Sequence, residues 1–284
     1  MAWACFVFYS FEWQKPFARS CFWPTAVFET PGSCRIADRK IEQLDAILVS
    51  HDHRDHADKA TIKRLTRKFQ NAKILAGLGM EDLMNGWKTP KNEVETAGWY
   101  QEFSAFDNLK IALVPVRHWS RRSLNDTNKR LWGGFVIQSS NITIYFSGDT
   151  GYGGHFKELA EIFPKIDYFI VGIGSYSPQF VMKEIHQTPE EALQGFLDSG
   201  AKHLIPMHYG TFDLTNEPPS EPLRLLNQKA EKLGVSDEIK VLKINESVVL
   251  RPYEVEMEAN QLPNTLENLH SNENPPKKER ETAL

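Results

Sequence analysis

The stretch Leu44-Asp45-Ala46-Ile47-Leu48-Val49-Ser50-His51-Asp52-His53-Arg54-Asp55-His56 decides the reading of this chain. Its first half is a short apolar run of the kind that forms a buried strand. Its second half, continued through Ala57-Asp58, sets three histidines and three aspartates within the nine residues from Ser50 to Asp58. A lone His-x-His is ordinarily a solvated loop. Here the cluster follows a strand directly, at the sheet edge where active-site side chains collect. Metal binding then requires matching ligands elsewhere in the chain.

Those ligands recur at the ends of later apolar runs. His118 follows the run Leu109–Val116, Asp149 follows Ile142–Ser147, and His208 follows His203–Met207. Zinc accepts His nitrogen and carboxylate oxygen, and a catalytic site keeps one position open for water. In an irregular loop His51 and His53, two residues apart, can share one ion, while Asp55 and His56 turn toward a second. His118, His208 and Asp149 supply a further histidine for each ion and a carboxylate to bridge them. Two ions roughly 3.5–4 Å apart polarise a bond under attack from both sides.

The remaining pattern is strands interleaved with helices. Asp58 reads as the N-cap of a helix with Ile62, Leu65 and Phe69 on one face. A strand at Lys73–Ala76 and a helical turn over Met80–Trp87 follow. Residues 120–130 form a polar loop, and Leu131–Ser139 turns at Ser140-Asn141 into the next strand. A helix over His155–Phe163 and a strand over Tyr168–Gly172 come next. Thr188-Pro189-Glu190-Glu191 carries a capping box with proline at the first helical position, and Gly200 stops that helix. A last helix and two strands fill residues 221–251. Such alternation gives an α/β or α+β domain, set at residues 41–256. Residues 1–40 are an atypical segment, with ten aromatics in the first 30 and no clean period. Residues 257–284 are polar and expected to be disordered.

Composition narrows the classes. The chain has 284 residues and a formal net charge of -4, which gives no general attraction to nucleic acid. Its three cysteines, Cys5, Cys21 and Cys34, are too few for a disulfide framework and match no zinc knuckle, so a reducing cytoplasm is expected. No run of 18 apolar residues marks a membrane span, and the first residues lack the basic region of a signal peptide. Among the other histidines, His155 and His203 read as structural or exposed, and His270 lies in the tail. His186 sits in a loop just before the capped helix, at the edge of the expected site.

The ordered set His51-Asp52-His53-Arg54-Asp55-His56, His118, Asp149, His208 resembles the metallo-β-lactamase superfamily. That resemblance implies a four-layer αββα sandwich with two Zn2+ at one edge. Arg117-His118-Trp119-Ser120-Arg121-Arg122, Leu131-Trp132-Gly133-Gly134, Phe146-Ser147-Gly148-Asp149-Thr150-Gly151-Tyr152 and His208-Tyr209-Gly210-Thr211-Phe212 narrow it. They are similar to the branch containing N-acyl-phosphatidylethanolamine-hydrolysing phospholipase D. The resemblance implies that His51, His53 and His118 hold one zinc, that Asp55, His56 and His208 hold the other, and that Asp149 bridges. It gives Asp55 a place in catalysis and His186 a role in steadying the substrate phosphate or the leaving oxygen. The branch usually begins with a Trp-x-Gly-His segment and an Asp-Pro, absent here, where Lys15-Pro16 stands in the second position. An incomplete or diverged N-terminal strand region is therefore expected.

The function implied is hydrolysis of a lipid phosphodiester, with Trp119, Trp132, Tyr176 and Phe180 as apolar candidates to admit acyl chains; for Trp132 ordinary packing is the stronger reading. Contact with a membrane surface and a homodimer are further expectations. A lactonase or other small-metabolite hydrolase shares the metal site, and a non-catalytic remnant is the alternative from another class.

Overall fold

A computed structural model describes residues 6–8, 41, 43–210, 215–243, 246 and 250. Expectations for the rest of 1–40 and for the tail 257–284 lie outside those residues. Two β-sheets carry the described fold. The first joins β1 (Phe6–Phe8), β2 (Ala46–Val49), β3 (Lys73–Gly77) and β4 (Val94–Ala97) in that order. Strand β1 runs antiparallel to β2, with Phe6 opposite Leu48, and the other pairs are parallel. The short β1 therefore covers the edge of β2.

The second sheet has six strands. They are β5 (Gln101–Phe103), β6 (Lys110–Val114), β7 (Gly134–Gln138), β8 (Thr143–Phe146), β9 (Tyr168–Gly172) and β10 (His203–Met207), ordered β10-β9-β8-β7-β6-β5. The β8, β9 and β10 strands are parallel, and the β5-to-β8 side is an antiparallel meander.

Period-two alternation splits each strand between two cores. Ala46, Leu48 and Leu75 from the first sheet pack with Leu113, Phe135, Phe146, Ile170 and Ile205 from the second, filling the space between sheets. The opposite residues of the first sheet, Ile47, Val49, Ile74 and Ala76, meet Ile62 and Leu65 of α1 (Lys59–Lys68) and Met84 of α2 (Glu81–Asn85). On the far side, Val136, Tyr145, Phe169 and Val171 receive Phe156 of α3 (His155–Ile162), Leu193 and Phe196 of α5 (Pro189–Ser199), and Leu226 of α6 (Glu221–Leu233). The short α4 spans Gln179–Met182. Helix, sheet, sheet, helix is the four-layer sandwich that the family resemblance implied. Each fully buried Leu or Ile contributes about 1.5–3 kcal/mol, so these three clusters are the stabilising mass of the unit.

Local chemistry sets the helix ends. The Asp58 carboxylate accepts from Thr61 N at 2.7 Å, capping α1 as expected. Thr188 and Glu191 form the reciprocal box of α5, and Gly200 closes it in the left-handed region at φ 63°. Strands β4 and β5 and helix α4 were not expected from the sequence. No strand is assigned among the described residues of 234–250; Ile239 makes a single parallel bridge to Leu204 instead.

Candidate metal centre

Strand ends deliver the site. His51 lies two residues past β2, Asp149 three past β8, His118 four past β6, and His208 directly after β10. Two glycines let these ends approach. Gly148 adopts φ +60°, and a Cβ there would sit 2.6 Å from Ser50 Cβ. A Cβ on Gly174 would sit 2.2 Å from the carbonyl oxygen of His208.

Asp149 is the hub. Its carboxylate lies 2.9 Å from His56 Nε2, 3.4 Å from His208 Nε2, and 3.9 Å from each Nε2 of His51, His118 and His186. Asp55 Oδ2 is 3.6 Å from His56 Nε2 and 3.9 Å from His208 Nε2. On the other side, His53 Nδ1 lies 3.0 Å from His51 Nε2 and 3.1 Å from His118 Nε2. All seven expected ligands are thus brought together, with His186 beside them. They fall into the groups His51/His53/His118 and Asp55/His56/Asp149/His208, and a third grouping joins His118, Asp149 and His186.

Hydrogen bonding shows that a cation fits here. The carbonyl of Ile185 can only accept, so His118 Nδ1 donates to it at 3.0 Å and leaves Nε2 as a bare lone pair. Ser50 Oγ sits 3.0 Å from His51 Nδ1, a hydroxyl that can either donate to that nitrogen or accept from it. Three imidazole nitrogens then converge where no choice of tautomer pairs them all. The donor–donor spacing is close to the edge of a zinc tetrahedron with Zn–N of about 2.0–2.1 Å, which is about 3.3–3.4 Å. Buried atoms His56 Nδ1 and Nε2, Asp149 Oδ1 and His208 Nε2 also lack hydrogen-bond partners. Buried polar atoms are rarely left so, and these, His56 Nδ1 apart, face the same space.

Burial sets the protonation states. It pushes His51 and His118 well below the ordinary imidazole range and His186 down to about 4, so all three are neutral at pH 7. Burial opposes charge on His208 too, but Asp149 and Asp55 override it and raise that ring to about 9. Burial likewise opposes ionisation of Asp55, yet His56 and His208 hold it at about 2. Asp149 is held far below the carboxylate range against the same burial, chiefly by His208 and His56.

Residues outside the ligand set fall as follows. Trp119 packs edge-on to His53 at 4.9 Å, at the site. Trp132 donates to Val116 O at 3.0 Å and meets Trp99 edge to face, which is packing. Tyr176 is buried and donates to Glu221 at 2.7 Å. Phe180 is 84% exposed on α4. His155 meets Thr150 Oγ1 at 3.2 Å and lies over Phe156; His203 lies beside Tyr168. Sequence reasoning missed Ser50 and the Ile185 carbonyl, and no signal in side-chain pattern could have marked a backbone acceptor.

This sandwich, with a histidine–aspartate cluster at one edge, is the metallo-β-lactamase fold. Residues 24–209 match the family model "Beta-lactamase superfamily domain", and the chain belongs to that superfamily. It is 33% identical over 206 residues to N-acyl-phosphatidylethanolamine-hydrolyzing phospholipase D 1 of Caenorhabditis elegans, covering 69% of this chain and 58% of that one. It is 30% identical to a metal-dependent hydrolase of Thermococcus kodakarensis, covering 66% of this chain and 77% of that one. The solved metallo hydrolase Igni18 of Ignicoccus hospitalis shares the fold, with TM-score 0.56, 23% identity, and 72% and 78% of the two chains covered. The chain spans about half the length of the mycobacterial relatives that it matches at 36% identity. Among the described residues, no helix is long and apolar enough to cross a membrane.

Proposed function

We propose that this chain is a dinuclear zinc phosphodiesterase that cleaves N-acyl-ethanolamine phospholipids or closely related lipid phosphodiesters. The observation that carries the reading is Asp149, one buried carboxylate facing five histidine rings between two groups of donors. All donors are nitrogen or oxygen, a set that suits zinc. The similarity to the Caenorhabditis elegans phospholipase supports the substrate class.

His51, His53 and His118 would hold one ion, Asp55, His56 and His208 the other, with Asp149 between them. Bound zinc supplies Lewis acidity and a nucleophilic water at neutral pH. Asp55, ionised at about 2 in the metal-free protein, offers an acceptor for a proton of the attacking water. His186 is neutral and stands 3.9 Å from Asp149, where it can donate to a phosphoryl or leaving oxygen. Water oxygen then bonds to phosphorus while the ester bond to the N-acylethanolamine breaks. The products are phosphatidic acid and an alcohol that takes up a proton. Phe180 and Val181, exposed on α4 six and five residues before His186, give an acyl chain an apolar approach.

The test is metal content together with release of phosphatidic acid from N-acyl-phosphatidylethanolamine. About two zincs per chain are expected, with turnover lost in His118→Ala. Two zincs without lipid turnover would overturn the substrate, leaving lactones as the next class to assay. A folded protein that binds no metal would overturn the enzyme.

A further inference from the structure

We propose that Arg122 and Arg130 are positioning residues that clamp the metal loop and thereby set its affinity for zinc. Both lie on the loop that begins at His118, and both reach across to the segment carrying His51, His53, Asp55 and His56. Arg122 Nη1 donates to the carbonyl of Asp52 at 2.9 Å and to that of Ala57 at 2.8 Å. Those two carbonyls bracket the turn His53–His56, itself closed by His56 N to His53 O at 3.1 Å and Ala57 N to His53 O at 2.8 Å. One guanidinium thus fixes the width of the turn that presents three ligands.

Arg130 acts on the side chain between the first two ligands. The Asp52 carboxylate is 0% exposed, and Arg130 Nη1 meets its Oδ2 at 2.9 Å. Its Oδ1 has no hydrogen-bond partner among the described residues. A buried carboxylate left without a cation is strongly unfavourable, so Asp52 stays inward only while Arg130 stays in place. Asp52 lies between His51 and His53 in the chain, so anchoring it holds the backbone that carries both.

The clamp is rigid because its loop is tied to itself. Asp126 accepts from Arg122 N at 3.0 Å, Ser123 N at 2.7 Å and Arg130 Nη1 at 2.8 Å. Ser120 Oγ donates to Arg130 O at 2.6 Å, and Asn128 N to Ser120 O at 2.8 Å. The Arg122 guanidinium is seated 4.5 Å from the Trp87 ring centre. His118 stands at the base of this loop, so the same contacts fix the third histidine relative to His51 and His53.

This inference rests on the metal reading above. Its test is zinc affinity of the full chain, by competition with a chelator, in wild type, Arg122→Met, Arg122→Lys, Arg130→Met, Arg130→Lys and Asp52→Asn/Arg130→Met. Partners that orient metal ligands are worth about 10–100-fold in affinity. That loss is expected in both methionine variants, with Arg122→Lys recovering part of it, because an ammonium can still donate to two carbonyls. The double variant should regain folding stability relative to Arg130→Met but not zinc affinity. Cobalt-substituted protein should show altered visible absorption in the methionine variants, which a role in stability alone would not produce. If a methionine variant does not fold, the lysine variant at that position decides on the same readouts. Variants that bind zinc as tightly as wild type overturn the clamp while leaving the metal reading intact. A wild type that binds no zinc overturns both.

Discussion

Replacing Gly148 by alanine tests the way two strand ends are brought together. Gly148 has φ +60°, where a non-glycine residue costs about 1–2 kcal/mol. Its added Cβ would also stand 2.6 Å from Ser50 Cβ and 2.9 Å from Ser50 Oγ, distances that force a shift. Overpacking of this kind costs about 1–3 kcal/mol. The sum is about 2–5 kcal/mol, or about 4–20 °C in Tm at about 2–4 °C per kcal/mol for a unit of this size. Gly148 precedes Asp149 and Ser50 precedes His51, so the shift pries the Asp149 carboxylate from His51. Melting followed by circular dichroism should show the Tm loss, and metal analysis after dialysis should show reduced zinc. In a Ser50→Gly background the clash is gone, and Gly148→Ala should cost only about 1–2 kcal/mol. An equal cost in both backgrounds, or an undiminished Tm in the single variant, would refute the reasoning.

Other consequences concern protons, caps and the eighth residue. His208 is raised to about 9 by the carboxylates beside it, so the metal-free protein carries its proton at pH 7.5. Zinc binding should release about one proton from it, measurable by calorimetry in buffers of different ionisation enthalpy. Because the folded value lies above the ordinary 6.5, this cation stabilises the metal-free fold fully below pH 6.5. That contribution is lost as pH rises through about 9, and the metal-free Tm should fall across that window. Thr188→Ala removes half of the α5 capping box and should cost about 0.5–2 kcal/mol in denaturant titration with zinc content unchanged. His186→Ala should lower kcat by about 100-fold or more while both zincs remain. Loss of metal would instead make His186 a ligand, as its grouping with His118 and Asp149 allows.

The candidate ligands at strand ends were legible because each follows an apolar run, and an apolar run of strand length ends where a sheet ends. His51, His118, Asp149 and His208 all obey this, and the structure brings their side chains into one cluster. The Thr188 box was equally legible, because its chemistry is local. Strands β4 and β5 were not. Val94-Glu95-Thr96 is only half-buried and alternates charge with short side chains, while Gln101 and Glu102 are exposed in a strand of three residues. These segments become strands because β3 and β6 supply partners, a tertiary effect that outweighs weak local preference. Helix α4 escaped for a related reason, since none of its four residues is buried and they carry no period. Arg122 and Arg130 read as part of a polar loop, because their carbonyl and carboxylate partners lie 65 to 78 residues away.

The electrostatics of the cluster explain why burial, which works against charge, prepares rather than spoils a metal site. Imidazole binds a metal only when neutral, and removing water from His51, His118 and His186 holds them in that form. The same burial should also neutralise carboxylates, but Asp149 and Asp55 stand among so many ring nitrogens that both stay ionised. His208 is raised because Asp149 at 3.4 Å and Asp55 at 3.9 Å outweigh its burial. In the metal-free protein that proton offsets part of the charge a cation would offset. Asp149 and Asp55 together carry negative charge in excess of the one proton on His208, in a space lined by lone pairs. A divalent ion that displaces the His208 proton removes the excess and satisfies the unpaired nitrogens together, so loading and protonation of His208 must compete.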